Sequence, residues 1–563
     1  MPARKALNGF TMVWRSMQVF GDTAAMRPSY RLLCRCTAVL FGVAWAFPSM
    51  AAPSPSSQAR SASVSTQVAA DAPSLAEQID ALITQPRFAG ADWGIVVMSL
   101  GSGRTVYSHH ADQLFQPAST AKLFTAAVAL SELGPDYRIP TRLLAGGELR
   151  NGMLDGPLIL YGMGDPTLGV DMATMRWADQ LAEQLAAQGL HRIHGDLIAD
   201  ATYFASPMMG SGWEATDLQS WFAVPATSLS VGENQVNVTV TPGKAAGAPA
   251  ELRFDPADAM PAVTNDVLTS AQGLRSDVNL YRAPGDGTLY AFGNIAAKAP
   301  AQNYKLALPD PALFAGRELQ EALVRRGVQL DGKLIAVRWP RRDNFLPAQP
   351  RVLAEVLSPP VSEILDRGLK RSQNLYLQNL LLLAGVKSQA DTEARDGYAG
   401  FVTSERRGIR AMRQLLEQIG ISPAASLIEE GTGLSRRNLA TPSAMARLLV
   451  FLANQPYGSA LMQALPIAGV DGTLQWRMRN TPAENNVHAK TGSMSFVHCL
   501  AGYVTTSDGE RLAFAIMLNN YDPPAGAPGA TKDIDQIAVM LAGSRHSAGA
   551  ASTVPAVATH PAN

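Results

Sequence analysis

The strongest helical period along the chain is carried by Leu123, Ala126, Ala127, Leu130 and Leu133, with Gly134-Pro135 as a stop signal. It predicts a mostly buried helix of about four turns that opens near Ser119. Residues 74–86 carry a second helical pattern. Trp93 to Leu100 reads as a buried strand ended by Gly101-Ser102-Gly103, with Arg104-Thr105-Val106-Tyr107 as its hairpin partner. Near the far end, Val497 to Thr505 and Leu512 to Leu518 alternate with period two around Ser507-Asp508-Gly509, the pattern of an antiparallel hairpin.

Between these ends the texture changes. From about residue 140, turn dipeptides such as Asn151-Gly152 and Asp155-Gly156 separate short strands, among them Leu158 to Tyr161, His194 to Ala199 and the alternating Gln235 to Val240. Only two or three helices are expected in this region, one of them from Thr174 to Gln188. Gly164-Asp165-Pro166-Thr167 reads as a turn in which Asp165 bonds its own backbone. Helical pattern resumes near Leu353, so residues 141–349 read as a β-rich insertion. Two helical runs between 353 and 385 flank Lys370-Arg371-Ser372-Gln373-Asn374. On one continuous helix Ser372 and Asn374 would point about 200° apart, so they share a site only if the backbone turns between them.

Composition and charge refine this frame. The chain has 563 residues, 47% of them hydrophobic, with equal numbers of acidic and basic side chains. That length predicts more than one domain. Residues 1–52 hold six basic side chains against Asp22 alone, which leaves a mildly acidic body with no basic face for nucleic acid. Arg27, Arg31 and Arg35 precede the apolar run Thr37 to Phe47 and the small residues Ser49 to Ala52. This is the pattern of a cleaved secretory signal peptide, assigned to residues 1–51, and it predicts export to the periplasm. No later stretch is long and apolar enough to cross a membrane, and Cys499 alone would remain after cleavage. Residues 52–72 read as a flexible linker and 546–563 as a disordered tail. His191 and His194 lie three apart, but without a carboxylate or cysteine expected to partner them they are not expected to hold a metal.

The candidate chemistry begins with Ser119 and Lys122. At i, i+3 on a helix they share a face, and an amine within reach of a serine hydroxyl can activate it if its pKa is lowered by burial. Alone, the pair is also compatible with a capping serine and a solvated lysine. Downstream, Glu430-Gly431-Thr432-Gly433 forms a glycine-bearing loop, and Lys490-Thr491-Gly492 lies on a strand where Gly492 permits close approach of another backbone. Ser-x-x-Lys, Ser-x-Asn and Lys-Thr-Gly each occur once, in that order.

This ordered triple resembles the signature of penicillin-recognising serine enzymes. About 250 residues separate the first two motifs. The chain is thereby similar to the class C low-molecular-mass penicillin-binding proteins, the D-alanyl-D-alanine carboxypeptidase/endopeptidase family S13. Gly164 to Leu168, Gly431 to Arg436, Leu465 to Leu474 and Ala489 to Ser493 look like further family blocks. Glu430-Gly431-Thr432 and Ser495 depart from the residues usual there.

The resemblance implies an α/β (α+β) fold: a transpeptidase-like domain at 73–140 and 350–545, an antiparallel sheet with helices on both sides, interrupted by the insertion at 141–349 in two nested β-rich parts. It implies hydrolysis of peptidoglycan stem peptides through an acyl-enzyme on Ser119, with acylation by β-lactam antibiotics and no metal or cofactor. Lys122 would be the general base, Ser372 a proton shuttle and Asn374 the holder of the substrate's acyl-side amide. Lys490 would keep Lys122 neutral and, with Thr491, bind the terminal carboxylate beside Gly492. The N–H groups of Ser119 and Ser493 would form the oxyanion hole. Asp217, Phe222 and Arg436 would meet a diaminopimelate side chain. A β-lactamase or esterase of the same superfamily, and a non-catalytic wall-binding scaffold, are the competing expectations. Oligomeric state is left open, a homodimer among the possibilities.

Overall fold

The computed structural model describes residues 73–545 apart from 171–175, 342–345, 348 and 389–399. The proposed signal peptide, linker and C-terminal tail lie outside the described residues. Ser74 caps the helix Leu75–Ile83: its hydroxyl accepts from Glu77 N and the Glu77 carboxylate accepts from Ser74 N, a reciprocal capping box. The strand Asp92–Ser99 then pairs with Thr105–His109.

These two strands join three from the far end of the chain in one antiparallel sheet. Its order runs Thr105–His109, Asp92–Ser99, Arg511–Asn519, Val497–Thr505, His488–Met494. Strand alternation gives the sheet two apolar faces. Ile95, Val97, Leu500, Val504, Leu512, Phe514, Ile516 and Leu518 pack with Leu75–Ile83 and the C-terminal helix Ala530–Gly543. On the opposite face Val96, Cys499, Ala501, Tyr503, Ala513, Ala515 and Met517 meet helices Lys122–Leu133, Asn374–Lys387 and Pro442–Ala453. Helices therefore cover both faces, as the resemblance implies.

The helix Lys122–Leu133 is preceded by a 3₁₀ turn, Ala118–Ala121, and ends at Gly134, whose φ of 78° is one that glycine adopts without strain. Every residue from Thr120 to Leu130 is buried, so this helix is enclosed on all sides.

A second five-stranded sheet holds the middle of the chain, in the order Leu334–Arg338, Leu197–Ala201, Leu158–Gly162, Arg138–Ala145, Arg351–Pro360. Its first three strands are parallel, and the helices Trp177–Ala187 and Pro311–Arg325 pack with it. Two three-stranded sheets follow from residues 235–307. In one, Gln235–Thr241 buries alternate residues as its sequence pattern predicts. One expectation is corrected. The stretch from Leu353 to Pro360, expected as helix, is strand, and Val361 opens the helix instead. Its apolar residues are few enough to suit either period, and pairing with Arg138–Ala145 decides the outcome. That pairing also sets the entry and exit of the intervening run side by side.

Candidate active site

The Ser119 turn is pressed between two glycines. A Cβ at Gly492 would lie 2.7 Å from the Pro117 carbonyl oxygen, and one at Gly433 only 1.9 Å from that of Ala118. Ala118 itself has a φ of 46°, a left-handed conformation that is costly for a residue with a Cβ. Asn519 anchors the approach to the turn, its Oδ1 accepting from Gln116 N at 2.7 Å and its Nδ2 donating to Gln116 O at 3.2 Å. Loop and sheet thus fix where Ser119 stands.

From the first helical turn Lys122 Nζ donates to Ser119 Oγ at 2.8 Å, to Asn374 Oδ1 at 2.6 Å and to the Thr432 carbonyl at 2.7 Å. The side chain is fully buried. Burial pulls its pKa down to about 7, against the pull of Glu430, whose negative charge favours the ammonium.

Ser372 and Asn374 share this site because the chain turns between them. The helix Val361–Lys370 stops, Ser372 takes a φ of 55°, and Asn374 begins the next helix, Asn374–Lys387. Asn374 bridges the site, since its Nδ2 donates to the Phe222 carbonyl at 2.6 Å while its Oδ1 accepts from Lys122. Ser372 Oγ accepts from Lys490 Nζ at 2.8 Å, and Lys490 also donates to the Thr491 carbonyl at 2.8 Å. Lys490 is fully buried, and its pKa lies well below the usual lysine value, first through burial and then through repulsion by Lys122. Burial, ahead of any effect of Lys490, therefore favours the neutral form of Lys122.

Lys490, Thr491, Gly492 and Ser493 lie on the edge strand His488–Met494. Ala489 N donates off that edge, to the Pro466 carbonyl at 2.9 Å. Alternation along a strand then points the Thr491 and Ser493 N–H groups the same way, away from Val497–Thr505. Thr491 Oγ1 lies 2.8 Å from Thr473 Oγ1.

Asp217, Phe222 and Arg436 sit less simply. Arg436 Nε donates to Glu214 Oε1 at 2.9 Å, not to Asp217, and its NH1 reaches the Ser495 carbonyl at 3.5 Å. Asp217 is half-buried, and its pKa is raised by burial and by Glu214 and lowered by Arg436. The Phe222 ring meets Trp221 edge to face, with centroids 5.9 Å apart.

Two acidic residues that the motifs do not single out complete the site. Glu233 is buried and accepts from Arg371 (2.8 and 3.0 Å), Gln373 Nε2 (3.1 Å) and the Tyr376 hydroxyl (3.0 Å), bracing the Ser372 turn. Glu430 is buried in the loop that contacts Lys122. The sequence signal for Glu233 is a lone acid after Leu229-Ser230-Val231-Gly232; for Glu430 it is an acid directly before Gly431-Thr432-Gly433.

Away from the site, Asp165 accepts from Thr167 N and Oγ1 at 2.8 and 2.6 Å, the expected turn. His194 does have carboxylate neighbours, Asp155 at 3.1 Å and Asp331 at 3.7 Å, unlike the expectation from sequence. His191 faces the Gly189 carbonyl instead, so the two histidines do not act as a pair. Among the described residues no group of three or more His, Cys, Asp or Glu could hold a metal ion.

The chain is similar to known proteins over most of its length. The model of the D-Ala-D-Ala carboxypeptidase 3 (S13) family matches residues 75–542. A D-alanyl-D-alanine carboxypeptidase of Actinomadura sp. (strain R39) is 33% identical over 484 residues, covering 83% of this chain and 84% of that protein. The crystal structure of penicillin binding protein 4 (dacB) from Haemophilus influenzae superposes with a TM-score of 0.70 at 26% identity, over 82% of this chain and 97% of that one. The same protein complexed with a novel β-lactam gives 0.66 at 25% identity, over the same shares. With the match running through all three motifs and both ends of the central sheet, the chain belongs to the D-Ala-D-Ala carboxypeptidase 3 (S13) family.

Proposed function

We propose that the protein is a serine D-Ala-D-Ala carboxypeptidase and/or D-Ala-diaminopimelate endopeptidase of peptidoglycan stem peptides, acting through an acyl-enzyme on Ser119. The observation that carries this reading is the 2.8 Å contact between Ser119 Oγ and a fully buried Lys122 amine whose pKa is about 7. Such an amine is largely neutral at slightly alkaline pH, and it can take the Ser119 proton as Oγ bonds to the penultimate D-Ala carbonyl carbon. The N–H groups of Ser119 and Ser493 hold the developing oxyanion. The C–N bond then breaks, and a proton passes through Ser372 to the leaving amine. Water next attacks the ester and its proton returns through Lys122, releasing the acid and regenerating Ser119.

Lys490 donates to Ser372, and a substrate carboxylate seated beside it would favour the ammonium form that burial disfavours, with Thr491 as a second donor. Asn374 orients the base as well as the acyl-side amide. Glu214 joins Asp217, Phe222 and Arg436 in a rim suited to a zwitterionic side chain such as that of diaminopimelate. The β-lactam complex of the Haemophilus influenzae relative supports acylation by β-lactams here. The basic and apolar N-terminal pattern supports export to the periplasm, and among the described residues no helix is long and apolar enough to cross a membrane. Residues 141–349, between the paired strands Arg138–Ala145 and Arg351–Pro360, we read as the insertion.

The test is D-Ala release from a stem pentapeptide as a function of pH. Because the ammonium form of Lys122 cannot accept a proton, kcat/KM should rise with pH through about 7 and level off above it. Failure, at every pH, both to release D-Ala from the pentapeptide and to split a cross-linked dimer into its two stem peptides would sink the reading.

A further inference from the structure

Glu430 is a fully buried carboxylate surrounded by neutral donors. Its Oε2 accepts from Thr432 N at 2.8 Å, Thr432 Oγ1 at 2.7 Å and Trp213 Nε1 at 3.2 Å. Its Oε1 accepts from Gly433 N and Asn438 Nδ2, both at 2.6 Å, and from Ser435 N at 3.4 Å. Hydrogen bonds of this kind stabilise a carboxylate without cancelling its charge. The negative field is therefore left for whatever cation lies nearby.

The loop wrapped around this carboxylate serves the site twice. The Thr432 carbonyl accepts from Lys122 Nζ, and Gly433, at a φ of 81°, lies flat against the Ala118 carbonyl one residue ahead of Ser119. Thr125 Oγ1 donates to the Gly431 carbonyl at 2.8 Å, tying the same loop to the Lys122 helix. Shape and charge thus reach the base through one residue. We propose that Glu430 is a positioning residue of the proton-transfer machinery, fixing the loop that grips Lys122 and setting, by its charge, how firmly Lys122 holds its proton.

The groups around Lys122 leave few other sources of that charge. The edge strand presents Lys490, and the turn and helix from Ser372 to Lys387 present the neutral Ser372 and Asn374. Helix Val361–Lys370 pairs Lys370 with Asp471 and Arg367 with Glu363. Helix Ser404–Gln418 brings buried Arg410 and Glu405, the latter held by Ser211 and Gln378. Arg447 on Pro442–Ala453 is exposed, and Cys499 on Val497–Thr505 faces Gln116 O. At the rim Arg436 pairs with Glu214, close to Asp217.

This inference rests on the hydrolase reading above, and the test separates the two. Second-order acylation constants with benzylpenicillin are measured at pH 6 and pH 8 for wild type, Glu430→Gln and Glu430→Asp, with thermal melting as a check on folding. Loss of the negative charge makes the amine easier to deprotonate, so the acid limb moves to lower pH. In Glu430→Gln the pH 6 to pH 8 ratio should rise about 2.5-fold or more, as a downward displacement of at least half a unit gives for a single titration centred near pH 7. Glu430→Asp draws the charge back by one methylene and should give a smaller rise in the same direction. A uniform loss of rate, with the ratio unchanged in whichever variant folds, would overturn the inference. An unreactive wild type would instead overturn the hydrolase reading.

Discussion

Ser119→Ala should lose D-Ala release by about 10⁴-fold or more while melting close to wild type, because the nucleophile's role cannot be passed to a neighbour. The hydroxyl of the second motif, on Ser372, accepts from Lys490 and is not bonded to Lys122 in this arrangement. A methyl group fits where the hydroxyl was, and the Ala118 turn stays held by Gly433, Gly492 and Asn519. Substrate binding should persist, so the loss falls on kcat rather than on KM. Progress curves with pentapeptide, alongside thermal melting, read both quantities. Activity within tenfold of wild type would place the nucleophile elsewhere.

Lys122→Met should cost about 10³-fold in kcat, the middle of the range that a positioned base contributes. Methionine keeps the length and apolar stem of lysine, so the fully enclosed helix remains filled. What disappears is the acceptor for the Ser119 proton and the donor to Asn374 Oδ1 and the Thr432 carbonyl. The residual rate should also lose the limb near pH 7, since the group that titrates there is gone. Rate and pH profile together distinguish a missing base from a distorted site. A folded variant that kept the limb would show that another group is the base.

How much of this could be read from the sequence depended on how local the cause was. The contact of Ser119 with Lys122 follows from three residues of helical rise, and the 3₁₀ turn at its start changes it little. The hairpin Val497–Thr505 to Arg511–Asn519 likewise carries its own alternation and turn. The backbone turn at Ser372 could be posed as a condition by helical geometry, and the left-handed residue meets it. Where the partner is distant the sequence is silent or misleading. The strand Arg351–Pro360 exists because Arg138–Ala145 lies alongside, some two hundred residues earlier, and its apolar spacing alone reads equally as helix.

The acidic residues make the same point for the site. The resemblance sets Arg436 and Asp217 against a substrate side chain, and nothing in the sequence shows that Arg436 also reaches Glu214. Glu233 becomes meaningful only once its segment is folded against Arg371, Gln373 and Tyr376. Glu430 was visible as a departure in a glycine-bearing loop. Its significance needs the burial and the neutral donors that only the fold supplies.

The central claim is that Ser119, activated by Lys122 and flanked by Ser372 and Lys490, is where the acyl group is carried. Intact-mass measurement after incubation with benzylpenicillin, followed by peptide mapping, tests it most directly. The expected result is a single penicilloyl adduct on the peptide containing Ser119. An unmodified protein, or an adduct on any other residue, would contradict the account.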